Sequence, residues 1–360
     1  MDIKSRFSEK LSHILFLEIN KEKIESIFKA QVNEKIYIPI RSENIVEKVK
    51  SGEKMDSIPA GYFIEAMFFV LGADKNFKFN KVYKKILLNV PESIKFIKGK
   101  IYKAVDKKQY EDAYIMLKGL IEIEENEENY NKLIMLADKL RSLDRIYKEE
   151  ELSIIEKAKS IFSQYAMPYL YECLIKRDDK DYENALIALN NYLKTGGEET
   201  KEITELKISL KNVVDYEKGK QLIYDDPQKS LSLLIPLLDE FNDDVELYYY
   251  IAIAYRILEN YEKAIYYLIE AINIDSNMPE LINELGINYA SLGNFEKAIE
   301  FLRKAFEVTK SVEICTNLIM CYINAGKIEE AKKHLNIAKK LDPQDEIVIK
   351  LDSILNSNNN

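Results

Sequence analysis

Residues 279–310 read PELINELGINYASLGNFEKAIEFLRKAFEVTK, and the same frame stands on either side of them. Ala252 and Gly286 are 34 positions apart, as are Tyr255 and Tyr289, Ala264 and Ala298, and Ala271 and Ala305. A third copy follows at 33 or 34, with Tyr322, Ala331 and Ala338, and the pattern stops at Asp342-Pro343. Each copy holds two amphipathic stretches of about a dozen residues, too short to be stable as isolated helices, so each needs a neighbour on its apolar face. Glu259-Asn260, Gly293-Asn294 and Gly326-Lys327 mark the turns between the two stretches. A helical pattern with this period is the signature of helix pairs stacked in one direction. Gly286, inside a helix, costs roughly 1 kcal/mol against Ala, which is tolerable where the missing side chain lets a partner helix come close.

The frame of Ile282, Leu285-Gly286, Tyr289, Ala298, Leu302 and Ala305 resembles the tetratricopeptide repeat (TPR) family. The copy before it supplies Tyr248, Ile251-Ala252, Tyr255, Ala264, Leu268 and Ala271. The copy after it supplies Cys315, Leu318-Ile319, Tyr322, Ala331, Leu335, Ala338 and Pro343. The family's Trp is absent, since the chain has none, and Leu replaces its Phe throughout; both are exchanges of one apolar filler for another. The resemblance implies an all-α fold, an α-solenoid of stacked helix-turn-helix repeats.

Upstream the repeat decays. Tyr182-Glu183-Asn184-Ala185 with Leu189 and Tyr192, and Tyr110-Glu111-Asp112-Ala113 with Leu117 and Leu120, match the second-helix pattern. A weaker copy lies between Val213 and Leu238, with Gly219 early and Asp226-Pro227 opening its second helix. Residues 130–162 have helical spacing but fit the frame poorly. The first ninety residues read as a separate, mostly helical cap unit. There, Phe7, Leu11, Ile14 and Leu15 make one helix face, Ser42 caps a helix holding Ile45 and Val49, and Ile36–Ile40 alternates too briefly for a strand. Ala60–Ala73 is the most apolar run, yet it is shorter than a membrane span and carries Glu65, so it reads as a buried helix. The expected domains are 1–90, degenerate repeats over 91–244, three clear repeats over 245–343, a capping helix over 344–356 with Ile347, Leu351, Ile354 and Leu355 as its apolar stripe, and a disordered tail over 357–360.

Among 360 residues, 47% are hydrophobic, enough for a large core laid out as a strip between layers. A net charge of −9 speaks against nonspecific nucleic-acid or anionic-membrane binding, which needs a positive field. No secretory signal stands at the start, which predicts a cytoplasmic protein, and the wealth of Ile, Lys and Asn suggests an AT-rich bacterial genome. Cys173, Cys315 and Cys321 lack metal-ligand spacing and read as free, small hydrophobes. His13 and His334 are distant from each other, and Glu124–Glu128 reads as a solvated acidic turn. No phosphate-binding loop, nucleophile elbow or zinc-protease motif occurs, so neither an enzyme nor a cofactor or metal is expected.

Binding of a protein or peptide remains. In the family the first helix of each pair lines a concave groove, and the resemblance carries this to Tyr249, Ile253 and Arg256, to Asn283, Ile287 and Ala290, and to Thr316, Asn317, Met320 and Ile323. Ile253, Ile287 and Met320 could equally pack on the adjacent layer. The family's carboxylate clamp is not matched, because Tyr249, Asn283 and Thr316 stand where a basic residue is needed. The expected function is a non-catalytic interaction scaffold, with a peptide-sensing bacterial regulator as the alternative; against the latter, Ser42–Lys50 and Ala60–Gly72 lack a basic recognition helix.

Overall fold

In a computed structural model, five turns between helices repeat one hydrogen-bond pattern. At Lys108, Lys180, Glu259, Gly293 and Gly326 the chain adopts positive φ, between 59° and 76°. The N–H of each of these residues donates to the carbonyl three residues back, and the N–H of the next residue donates to the carbonyl five back, at 2.8–3.0 Å. This Schellman arrangement satisfies carbonyls that the closing helix leaves free and turns the chain into the next helix. Tyr110, Tyr182, Tyr261, Phe295 and Ile328 each open that next helix.

The structure describes residues 2–31, 35–50 and 58–357, which form two compact units, 1–207 and 208–360. The first contains α1 (Ile3–Ser12), β1 (Ile14–Glu18), α2 (Lys21–Phe28), β2 (Tyr37–Arg41), α3 (Ser42–Lys50), α4 (Ala60–Ala73), α5 (Asn80–Asn89), α6 (Ser93–Asp106), α7 (Tyr110–Ile121), α8 (Glu127–Leu143), α9 (Lys148–Ile161), α10 (Met167–Asp178) and α11 (Tyr182–Lys194). Helix α12 (Lys201–Leu222) runs across the division between the units. The second continues with α13 (Pro227–Leu234), α14 (Val245–Ile257), α15 (Tyr261–Ile274), α16 (Pro279–Ser291), α17 (Phe295–Thr309), α18 (Val312–Asn324), α19 (Ile328–Leu341) and α20 (Glu346–Ser357). The fold is all-α apart from one small sheet, and among the described residues no helix is long and apolar enough to cross a membrane.

In the second unit, α14 pairs with α15, α16 with α17 and α18 with α19, and each pair packs on the next. Ala264, Ala298 and Ala331 are fully buried, as are Ala271, Ala305 and Ala338, so small side chains stand wherever two helices close on each other. A Cβ added at Gly286 would lie 2.5 Å from Leu302, the close approach that the glycine permits. Gly219 repeats the device: its Cβ would lie 2.4 Å from Leu234, and the Ser230 hydroxyl donates to its carbonyl at 2.7 Å. Between the small positions the aromatics stack, Tyr255 on Tyr267 and Tyr289 on Phe301, each with centroids 5.5 Å apart. Lys263 and Lys297 lie over the Tyr255 and Tyr289 rings at 5.1 and 5.0 Å. In the last pair His334 takes the aromatic place against Tyr322.

Helix α20 packs on α18 and α19 through Val348, Leu351 and Leu355. The expected stripe is therefore rotated: Ile347 and Ile354 face outward, at 45% and 48% exposure, and Val348 takes their place inside. Ser357 ends the helix, and the remainder of the expected tail lies outside the described residues.

In the first unit, residues from Phe7 to Ile175 share one core. Helix α4 has the expected bounds and is buried almost throughout. It crosses α7 at a pair of glycines: a Cβ on Gly72 would lie 1.8 Å from the Ile115 carbonyl oxygen, and one on Gly119 would lie 1.9 Å from that of Phe68. The N-terminal reading needs correction. Helix α1 ends at Ser12, and Ile14–Glu18 pairs antiparallel with Tyr37–Arg41, Ile14 opposite Arg41 and Glu18 opposite Tyr37. Ile14 and Leu15 therefore belong to a strand, although their spacing from Phe7 and Leu11 also suits a helix. Residues 38–41 are buried at consecutive positions, so burial adds no alternation there.

Two outcomes follow from this packing. Glu259 holds a left-handed conformation that disfavours a side chain, whereas Gly326 holds it freely. Glu259→Gly should stabilise the second unit by about 1 kcal/mol and Gly326→Ala should destabilise it by a similar amount, read as opposite shifts in thermal melts. Truncation after Asp342 removes the cover from Ile319 and Leu335, buried under α20. Sedimentation should show aggregation, and a monomeric truncated chain of unchanged melting temperature would refute the covering role.

Candidate functional site

The first helices α14, α16 and α18 lie side by side, each touching the next. Asp244 caps α14 by accepting from the Leu247 N–H at 3.1 Å, while Pro279 begins α16, where its lack of an N–H costs nothing.

Tyr249 is half-buried, and its hydroxyl is pushed up to about 12 by burial and then by the Glu284 carboxylate. Arg256 on α14 reaches α16, its Nε 2.8 Å from Glu284 Oε2. Burial holds Glu284 above the ordinary carboxylate range although Arg256 pulls it down, and Glu313 on α18 pushes in the same direction as burial. Asn283 is half-buried with an unpartnered Oδ1. Asn288 is wholly buried; its Nδ2 donates to the Glu284 carbonyl at 2.8 Å and its Oδ1 has no partner.

The expected groove residues thus fall into two groups. Tyr249, Arg256, Asn283, Ile287 and Asn317 are partly exposed, and Met320 is open at 47%. Ile253 and Thr316 are at 5% and 2%, and the Thr316 hydroxyl donates to the Glu313 carbonyl at 2.8 Å, so both are occupied by packing. The neighbours Ala290 and Ile323 pack at the edge of the core formed by the last two helix pairs. The residue that sequence reasoning missed is Glu284. Its signal was present: an acid one helix over from Arg256, on a face otherwise made of Leu281, Leu285 and Asn288, needs a cation.

The remaining reactive groups are quiet. Cys173, Cys315 and Cys321 are buried thiols, pushed up to about 11 by desolvation. Among the described residues no cluster of His, Cys, Asp or Glu could hold a metal ion. The acidic run before α8 is engaged in ion pairs and caps, with Glu124 2.6 Å from Lys98 and Glu128 2.5 Å from Lys132.

A family model for the tetratricopeptide repeat matches residues 245–278, 279–311 and 312–345. No curated protein matches the chain. Among solved structures it is similar to MamA, at 21% identity over 50% of this chain and 92% of that one, with a TM-score of 0.37. It is also similar to YrrB, described as a TPR protein with an unusual peptide-binding site, at 21% identity over 55% and 93% with a TM-score of 0.33. A thermophilic TPR protein of Thermus thermophilus is similar at 20% identity over 53% and 98%, with a TM-score of 0.33.

Glu284 also yields a pH test. Its carboxyl is raised in the folded chain, so its contribution to stability is present below the unfolded value and is lost as pH rises through the folded one. Glu284→Gln, which keeps the shape without the charge, should gain in melting temperature relative to the parent as pH rises above the ordinary carboxylate range. A difference independent of pH would show that Arg256 fully compensates the buried charge.

Proposed function

Because residues 245–345 are three tetratricopeptide repeats, we propose that the second unit is a non-catalytic protein–protein interaction scaffold, holding a partner peptide or helix along its row of first helices. The observation that carries this reading is the Arg256–Glu284 pair beside Tyr249. It sets an aromatic ring and a guanidinium on adjacent first helices, where they can take side chains of an extended segment. Repeats contribute to such a surface layer by layer, so affinity is spread over two or more of them.

The charge specifies the partner further. Residues 208–360 hold 16 Lys and Arg against 25 Asp and Glu, the whole of the net −9. Beside Tyr249 stand Glu280 and Glu284, and Glu313 acts on Glu284 from α18. A segment carrying Lys or Arg next to apolar anchors fits this surface, and an acidic tail does not.

The test begins with tagged capture and mass spectrometry, followed by titration of the identified segment. Tyr249→Ala with Arg256→Ala should weaken binding at least tenfold, about 1.4 kcal/mol; because the pair of changes also leaves Glu284 without its cation and lowers the melting temperature, binding is read well below that transition, where the variant is folded. Lys263→Ala with Lys297→Ala, which removes cations seated on tyrosine rings elsewhere on the repeats, should leave affinity unchanged. If the lysine pair abolished binding and the Tyr249–Arg256 pair did not, the site would lie on another face.

A further inference from the structure

The first unit carries a surface of opposite character. Helices α6 and α8 both pack on α7, and between them lies a cleft of about 390 Å³. Its floor is apolar, made by Ile101, Leu117, Leu120 and Leu136. Tyr102 and Met135 stand at its edges, 74% and 51% exposed. The charged side chains that line it are Lys98, Lys132 and Lys139, with no carboxylate among the lining residues, in a chain whose net charge is −9.

We propose that this cleft is a second docking site, shaped for an acidic amphipathic helix of a partner protein. Apolar side chains of that helix enter the floor, and flanking Asp or Glu meet the lysines. Charge complementarity selects the occupant. Lys98 is paired with Glu124 at 2.6 Å and Lys132 with the exposed Glu128, surface pairs that are worth little in water and yield readily, and Lys139 lies over the Tyr110 ring at 5.8 Å. Dimensions point to a helix. The wall residues on α8 run from Asn129 to Lys139, about 15 Å at the helical rise of 1.5 Å per residue. Tyr102 and Met135 are side-chain types enriched at protein interfaces, and Met adapts to varied apolar surfaces. The site shares no residue with the row of first helices in the second unit and selects for the opposite charge, so its occupant is a different segment.

The probe is a labelled peptide of about 15 residues, four helical turns, with Leu at positions i, i+3, i+4 and i+7 and Glu elsewhere, compared with its Lys counterpart by fluorescence anisotropy on the full chain. The Glu peptide should bind and the Lys peptide should not. Lys132→Glu with Lys139→Glu, and separately Tyr102→Ser with Met135→Ser, should each weaken the Glu peptide at least tenfold without lowering the melting temperature. Tyr249→Ala with Arg256→Ala should leave it unchanged, which separates this site from the one above. Failure of the Glu peptide to bind, equal binding of both peptides, or indifference to the cleft substitutions would overturn the proposal. Self-association of the parent chain that disappears in the cleft variants would also overturn it, by assigning the cleft to a second copy.

Discussion

Five of the helix pairs depend on a single left-handed residue at the end of the first helix. That residue and its successor turn two N–H groups back onto the helix they leave, and the next helix starts at once, so the two helices lie close and antiparallel. Closeness then dictates composition. Close approach favours small side chains: Ala264, Ala298 and Ala331 on the returning helices are fully buried, and a Cβ on Gly286 would lie 3.4 Å from the Ala298 carbonyl oxygen. The large groups are displaced to the flanks, where the tyrosines stack. Three of the five turns place Lys or Glu in a conformation that glycine would hold without strain, so this geometry is imposed by the packing of the helix pair and not by the local sequence alone.

The same turn occurs in the first unit, but one side chain gives it another use. In Tyr261-Glu262-Lys263-Ala264 and Phe295-Glu296-Lys297-Ala298 the third residue is a lysine seated on a tyrosine ring. In Tyr110-Glu111-Asp112-Ala113 it is Asp112, 5% exposed, which binds Arg41 of β2 and lies 2.8 Å from Lys10 of α1. Burial raises the Asp112 carboxyl, yet Arg41 and Lys10 together hold it below its ordinary value. Glu65 of α4 joins through Arg41 at 3.5 Å and Lys100 at 2.6 Å, while Glu111 ties Arg6 at 2.7 Å to the Tyr147 hydroxyl at 2.8 Å. Removing Arg41 or Asp112, the buried members of the network, strands the other, a loss of about 3–5 kcal/mol. Helix α1 and strand β2 are thereby fastened to α7 by charge, in addition to the apolar core they share with it.

Much of this can be read from the sequence because repetition multiplies a weak signal. A single Gly286 or Ala298 says little, but the same residue types at a spacing of 34 define both the pairing and the small positions. Even the faint copies at Tyr110, Tyr182 and Gly219 are recognisable, since the turn and the close approach tolerate few substitutes. The sheet is not legible. Its strands are five residues each; Ile36, Ile38 and Ile40 alternate in the sequence over too few positions to stand out, and in β2 the residues from Ile38 to Arg41 are all buried, so burial adds no period of two. The outward face of α20 is ambiguous for a related reason: Ile347, Val348, Ile349, Leu351, Ile354 and Leu355 offer more than one possible stripe, and only contact with α18 and α19 chooses among them.

The candidate groove is legible in position but only partly in chemistry. A residue on a first helix can serve the next layer or a partner, and rotation of a few tens of degrees decides which; Ile253 and Thr316 serve the layer, while Tyr249 and Met320 remain open. Glu284 matters more than either group, because its charge is mostly withdrawn from water and has one cation to answer it. A cationic side chain arriving beside Tyr249 would share that carboxylate with Arg256, relieving a desolvation cost that the free chain carries. An anionic one would add a third carboxylate near Glu280 and Glu284 and increase it. Were the proposed partner to dock there, selectivity would come from what the packing has left uncompensated, a stronger basis than surface charge exposed to screening by salt.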